Sequence, residues 1–209
     1  MVHALLILGA SGHAKMVIEA ARSQGLYEPT VCLGSDANDP LSVLGVRVAP
    51  ETDDTLRALL SEMRFAFVAI GSNRLRRKLS CKLEDLGYTL ATIVANGAWL
   101  SPSARVGAGS VLLPRSAVGA DASLGKGCII NTCSSVDHDC WLGDWVHIAP
   151  GSHLGGKVQV GEESFLGVGC SVIPEKRIGS RTTLGSGAVV VRDIPDDQTW
   201  VGCPARFLK

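Results

Sequence analysis

His138 stands in the run Asn131-Thr-Cys-Ser-Ser-Val-Asp-His-Asp139, with a carboxylate on either side. An imidazole beside a carboxylate is suited to taking up a proton near neutral pH, because the acid raises its basicity and fixes its tautomer. The plainer alternative is a solvated surface histidine. Of the other histidines, His3 carries no argument, His13 follows a glycine turn, and His147 and His153 lie nine and fifteen residues beyond His138. His153 reads as surface. A second chemical position is Gly9-x-x-Gly12-His13 with Lys15, where a glycine turn opens a helix and presents backbone N–H groups suited to a phosphate. It is not the G-x-G-x-x-G dinucleotide pattern, and a tight turn of no functional consequence is its alternative. A third is Gly71-Ser72-Asn73, followed by Arg74, Arg76, Arg77 and Lys78. Arg74, nearest the loop, suits a substrate phosphate, while Arg76, Arg77 and Lys78 read as a solvated helix face.

The element carrying His138 is set by a period. From Leu100 to Val190 every sixth residue is aliphatic: Leu100, Val106, Leu112, Val118 and so on through Leu184 and Val190. Neither a helix period nor a strand period explains this, whereas a parallel β-helix built of hexapeptides does. The residue two before each aliphatic is usually small, as at Ser110, Cys128, Cys140, Ser152 and Cys170, and the residue after it is often glycine, as at Gly107, Gly125 and Gly143. Glycine there is expected to supply the backbone angles of the corners. Three hexapeptides make one coil, so Gly156 falls directly above His138 and Ala120 directly below, leaving room beside the ring. A free N–H at Gly155 or Gly156 would face a developing oxyanion. His147 falls half a coil away, on another face of the prism. No loop is extruded between residues 100 and 190, so an acceptor platform has to come from elsewhere in the chain. Asp193–Pro204 breaks the period and reads as a cap on the open end of the stack.

The preceding residues follow a different rule. Ala4–Leu8, Thr30–Leu33, Phe65–Ile70 and Thr89–Val94 read as strands, with Leu44–Val48 and its glycine turn between the second and third, interleaved with helical segments ending near Ser23, over Thr52–Met63, and from Arg74 to about Gly87. Such alternation predicts a small parallel α/β sheet, Rossmann-like. Its loops Gly9–His13, Gly34–Asp36 and Gly71–Asn73 should then line one crevice at the strand carboxyl ends. The expected division is residues 1–94 for this domain and 95–209 for the β-helix with its cap.

Composition excludes several classes. Lys+Arg and Asp+Glu are both 20, which argues against a broad grip on nucleic acid or an anionic membrane surface. The apolar run in the opening MVHALLILGASG is too short for a signal segment or a spanning helix, so a cytoplasmic protein is expected. The seven cysteines show no C-x-x-C pair and no metal spacing, and those in the repeat read as small buried hydrophobes in a reducing compartment. No metal is expected.

Four motifs in order resemble one family: Gly-Ala-Ser-Gly-His at residues 9–13, Ile-Gly-Ser-Asn-Arg at 70–74, the run Ile130–His147, and Val-Gly-Cys-Pro-Ala-Arg at 201–206. This is the sugar acetyltransferase family of the sialic-acid and bacillosamine pathways, and the resemblance spans essentially the whole chain. It implies a left-handed β-helix, an exception to the usual right-handed crossover. It also implies a homotrimer with acetyl-CoA between adjacent β-helices and a nucleotide-linked amino sugar held by the N-terminal domain. On that resemblance His138 is the general base, Asp139 the acid that raises its basicity, and Gly156 the glycine whose N–H polarises the carbonyl. His147 is similar to the histidine near the thioester, and Gly167, Val168 and Ser186 to positions lining the coenzyme channel. Ser11, Gly12 and His13 would contact the nucleotide sugar, with Gly71, Asn73 and Arg74 beside them. Where the family often carries an acidic pair for uridine, this chain reads Leu33-Gly34-Ser35-Asp36, leaving Asp36 alone in range.

The activity expected is acetyl transfer from acetyl-CoA to the amine of a UDP-4-amino-sugar type of acceptor, by direct attack with no cysteine intermediate. The rivals are O-acetylation of a sialic-acid-like sugar, a three-histidine metal hydratase on the same prism, and a non-catalytic sugar-nucleotide sensor.

Overall fold

A computed structural model describes residues 2–36 and 38–209. The chain divides into two compact units, Met1–Asn96 and Gly97–Lys209.

The first unit is a six-stranded sheet flanked by helices. Its strands are β1 (His3–Leu8), β2 (Tyr27–Gly34), β3 (Ser42–Val43), β4 (Val46–Pro50), β5 (Phe65–Val68) and β6 (Thr89–Leu90), in the order β3-β4-β2-β1-β5-β6. All neighbours are parallel except the β3–β4 hairpin. The centre is apolar on both faces, as a covered parallel sheet requires: Leu5, Leu6, Ile7 and Leu8 of β1 are fully buried, as are Val31, Cys32 and Leu33 of β2. Because β2 lies on one side of β1 and β5 on the other, the loops after β1 and β5 part at a topological switch point. The helices are α1 (Gly12–Gln24), α2 (Asp53–Leu60) and α3 (Asn73–Leu86); α1 and α3 each end at a left-handed glycine, Gly25 and Gly87.

The glycine turn expected in Leu44–Val48 is the two-residue turn of the β3–β4 hairpin, where Leu44 and Gly45 both take positive φ, 48° and 79°. The run Thr89–Val94, read as one strand, splits: Thr89–Leu90 joins the sheet beside β5, and Ile93–Val94 forms a separate short strand.

The second unit is the left-handed parallel β-helix. Two-residue strands stack in three sheets with a register of one coil: Ala117 on Ser135 on His153, Ser123 on Trp141 on Gln159, and Ile129 on His147 on Phe165. The aliphatic at each sixth position points inward and is buried from Leu112 to Val190, while Leu100 and Val106 in the first coil are partly open. Each such side chain contributes on the order of 1.5–3 kcal/mol by burial. This exceeds the roughly 1–2 kcal/mol cost of a left-handed residue, and the fold uses one at every corner. From Gly109 to Gly187 every sixth residue has φ between 53° and 75°, whether it is glycine or, as at Arg115, Asp139, Trp145 and Lys157, not.

That pattern corrects the role given to the other glycines. Gly107, Gly125 and Gly143, which directly follow an inward aliphatic, have ordinary backbone angles. Their reason is close approach: a Cβ at Gly143 would sit 2.7 Å from the backbone N of Glu162 in the next coil. The small slot also does more than fit. Ser152 Oγ and Ser164 Oγ donate to the carbonyls of Gly167 and Gly179, at 2.6 and 2.7 Å. Cys128 and Cys170 Sγ do the same to Gly143 and Gly185, at 3.3 and 3.1 Å. Each small side chain thus satisfies the carbonyl of a glycine fifteen residues ahead, inside the prism.

After the last coil, Thr199–Val201 pairs with Thr183–Leu184, and Arg206–Phe207 folds back antiparallel on it. Ile194 is buried and bridges to Ile178. The tail therefore covers the exposed edge of the stack.

Candidate functional site

His138 occupies the corner between Ser135–Val136 and Trp141–Leu142. Its main chain is held from both sides: Asp139 N donates to Ala120 O in the coil before, and Lys157 N donates to His138 O from the coil after, both at 2.9 Å. Asp137 Oδ1 accepts the His138 amide at 2.8 Å. The left-handed conformation of Asp139, φ 58°, turns its carboxylate back onto the ring, with Oδ2 2.8 Å from Nδ1. A carboxylate accepts only, so Nδ1 carries the hydrogen and Nε2 presents its lone pair. The hydrogen bond that Nδ1 donates to Asp139, followed by the charge of Asp137, holds the ring's pKa above the ordinary 6.5. Nε2 points at Gly156, where a Cβ would overlap the ring. Ring, carboxylate and glycine are therefore brought together at one corner, half open to solvent. The Gly155 amide is not available, since it donates to Val172 O at 2.9 Å in the interior. Of the two amides expected at the oxyanion position, Gly156 is the one with no acceptor among the described residues.

His147 lies on a different sheet of the prism from His138, as the half-coil spacing requires. It is 8% exposed, edge-on to Phe165 with ring centroids 5.1 Å apart, and its Nε2 is 3.1 Å from Asn131 Nδ2. Asn131 Oδ1 is taken by the Thr132 amide at 2.8 Å, which fixes the amide so that its NH2 faces His147. Asn131 was not singled out from sequence. The register that sets it one coil below the Ala149 position gave no hint of a side-chain contact to His147.

Gly167, Val168 and Ser186 fall at one corner, following the strand above His147. Gly187 N donates to Val168 O at 2.8 Å, so Val168 and Ser186 stack one coil apart. A side chain at Gly167 would strike Leu184 O and Ser186 N. Val168 is 52% exposed, an apolar surface beside a polar one. His153 stays at the surface, with Nδ1 2.9 Å from Ser135 Oγ. No group of His, Cys, Asp and Glu among the described residues is arranged to hold a metal. Cys140 and Cys170 are buried, and burial raises their pKa, so neither is poised as a thiolate.

In the first unit, the loops after β1, β2 and β5 emerge at the carboxyl ends of neighbouring strands. Ser11 is the extended N-cap of α1, its hydroxyl makes no capping bond, and Ser11 and Gly12 are exposed. Close contact of the first and third loops depends on Gly9, whose φ is 119° and whose Cβ would lie 2.8 Å from Ala69 O. Asp36 is engaged within its own loop: Oδ1 accepts from Asn38 N and Nδ2, and its amide donates to Asp39 Oδ2. Asp39, unremarked in the sequence, is thus part of the same turn. Arg74 is exposed.

Arg76 departs from expectation. It is 1% exposed rather than solvated, with Nη1 donating to the carbonyls of Ile70 and Gly71 at 3.1 Å and Nη2 to Asn73 Oδ1 at 2.9 Å. The signal was present in the spacing: Arg76, Leu79, Ser80 and Leu83 fall at i, i+3, i+4 and i+7, the buried stripe of α3. His13 is also largely buried. Burial first, and the Arg76 charge second, lower its pKa to about 4.

The N-terminal residues 4–83 match the family described as the PglD N-terminal domain. Over the whole chain the protein is 42% identical to a histidine-to-asparagine variant of perosamine N-acetyltransferase from Caulobacter crescentus, solved with CoA and GDP-perosamine. The match covers 100% of this chain and 98% of that one, with a TM-score of 0.94. It is 41% identical to the acetyltransferase domain of PglB from Neisseria gonorrhoeae FA1090, solved with acetyl coenzyme A, over 100% of both chains with a TM-score of 0.93. WeeI from Acinetobacter baumannii AYE is 25% identical, over 99% of this chain and 100% of that one, with a TM-score of 0.88.

Proposed function

The chain belongs to the hexapeptide-repeat sugar N-acetyltransferases typified by these proteins, and from that premise we propose that it acetylates the amine of a nucleotide-linked amino sugar with acetyl-CoA. The observation that carries this reading is the His138–Asp139 pair aimed at Gly156, in a chain similar over its full length to an enzyme solved with CoA and GDP-perosamine.

The chemistry follows from the corner. The sugar amine attacks the thioester carbonyl, His138 Nε2 takes the proton the nitrogen sheds, and Asp139 stabilises the imidazolium that forms. The Gly156 N–H lies where the carbonyl oxygen gathers charge. The carbon–sulfur bond breaks, and CoA leaves as the thiolate, which His138 can reprotonate. The base needs no metal partner for its tautomer, since Asp139 already sets it.

Residues 1–94 serve as the nucleotide-sugar-binding domain, with Ser11, Gly12, His13, Asp36, Gly71, Asn73 and Arg74 as its contacts. Residues 95–209 are the acyltransferase domain and cap, with His147, Gly167, Val168 and Ser186 along the coenzyme. A homotrimer is the assembly that suits it: His138 and His147 lie on different sides of one prism, and a second copy is what would bring a base and a coenzyme-binding face to one substrate. The free cysteines, four of them buried, suit the reducing environment of a cytoplasmic enzyme, and no helix among the described residues is long and apolar enough to cross a membrane.

The test is thiol release from acetyl-CoA by the purified chain, with GDP- and UDP-linked 4-amino sugars offered beside a free nonulosonic acid. Release with an amino sugar and a product acetylated on nitrogen is expected. Release with the hydroxyl acceptor alone, or with none, would remove this reading.

A further inference from the structure

A buried guanidinium, that of Arg76, underlies the loop after β5 in the first unit. Arg76 is tied to the carbonyls of Ile70 and Gly71 in the loop after β5 and to Oδ1 of Asn73, the first residue of α3. That loop meets the loop after β1 at Gly9, whose missing side chain leaves space for Ala69 O. The loop after β1 carries His13, and its Nε2 is shielded from solvent while hydrogen-bonding no atom among the described residues. One buried polar atom is therefore left for something outside the chain to satisfy.

We propose that Arg76 is a positioning residue for the nucleoside diphosphate sugar: it locks the Ile70–Asn73 loop against the Gly9–His13 loop, so that His13 Nε2 meets the bound ligand at a fixed place. This rests on the acetyltransferase reading for its ligand, not for its geometry. Ser72 Oγ caps α3 through the Leu75 amide, so the side chains of Asn73 and Arg76 in that first turn are directed by one short helical segment. Among the described residues the same guanidinium is the charge that acts on His13; Lys15 on α1 and Arg74 on α3 are exposed. His13 consequently stays uncharged across the physiological range and binds as a neutral hydrogen-bonding group.

The experiment uses the full-length protein. Histidine ring proton signals are followed against pH in the wild type and in Arg76→Met, with His13→Asn assigning the resonance. His13 should not titrate above about pH 5 in the wild type, should titrate higher in Arg76→Met, and should shift in the wild type when GDP or UDP is added. This arm needs no turnover, so acetyl transfer can fail while the clamp stands. In steady state, Arg76→Met should raise KM for the nucleotide sugar tenfold or more with KM for acetyl-CoA and kcat within twofold, and Arg76→Lys should recover part of the loss. If Arg76→Met does not fold, Arg76→Lys, which keeps the charge but not the planar fork, is read for the same KM effect and for the same His13 titration. A wild-type His13 midpoint near 6.5, an unmoved midpoint in the variant, or an unchanged sugar KM would each overturn the proposal.

Discussion

Gly156 and His138 face each other across one coil so closely that no side chain can stand at the first without displacing the imidazole of the second. The obstruction falls on Nε2 and Cε1, the working end of the ring, and not on the Nδ1 edge held by Asp139.

Gly156→Ala should therefore separate activity from stability. The ring is exposed and can swing aside, so the melting temperature should move by no more than a degree or two, within the ±0.5 kcal/mol of ordinary surface changes. Turnover should fall roughly a hundredfold, as it should in His138→Ala, because the base is lost in both. Equal losses of melting temperature and turnover would place Gly156 in the scaffold instead.

Asp139→Asn should move the pH profile. The carboxylate raises the His138 pKa, so the ring keeps its proton to higher pH and the neutral base appears above 6.5. Asparagine tolerates the left-handed corner but carries no charge. The acidic limb of kcat/KM should shift toward lower pH, with a lower plateau because the base is weaker. A limb that stays in place would mean that another group controls it.

Gly143→Ala and Gly169→Ala test the two glycine roles. A Cβ at Gly143 meets the fixed backbone of Glu162, and overpacking of that kind costs about 1–3 kcal/mol. Gly169 has φ 70° with open space beside it, and its equivalents elsewhere are Arg, Asp and Lys, so alanine should cost about 1 kcal/mol there. Thermal unfolding of both variants would rank them.

Cys170→Ser should be nearly silent, since Ser152 and Ser164 already occupy the same slot with the same bond. Cys170→Val removes the donor to Gly185 O and adds a branch, and should destabilise by about 1–3 kcal/mol. Denaturant unfolding distinguishes the two.

The β-helix was legible because the same physical demand, an aliphatic in a narrow prism, recurs at every sixth position and no other architecture makes it. The His138 corner was legible for a related reason: coil stacking converts chain separation directly into spatial neighbours, so Gly156 could be placed above it. What escaped was contact set by side-chain direction. The thiol and hydroxyl bonds to glycine carbonyls needed the inward angle of the small slot, and Asn131 needed the amide orientation fixed by Thr132. Arg76 was misjudged because charge was weighed before its place on the buried stripe of α3, where the carbonyl ends of β5 offer it acceptors. The turn at Leu44–Gly45 was legible because a glycine after an apolar residue marks a tight hairpin.

The uninterrupted coil also makes position along the chain equivalent to an angle around an axis. Removing six residues between His138 and Val168 would preserve every inward aliphatic yet rotate Val168 by a third of a turn relative to the base. Removing a full coil would keep the angle and shorten only the height. Natural variation in this stretch should accordingly come in whole coils, and any insertion that is not a multiple of eighteen has to bulge outward to leave the compass bearing of the base intact.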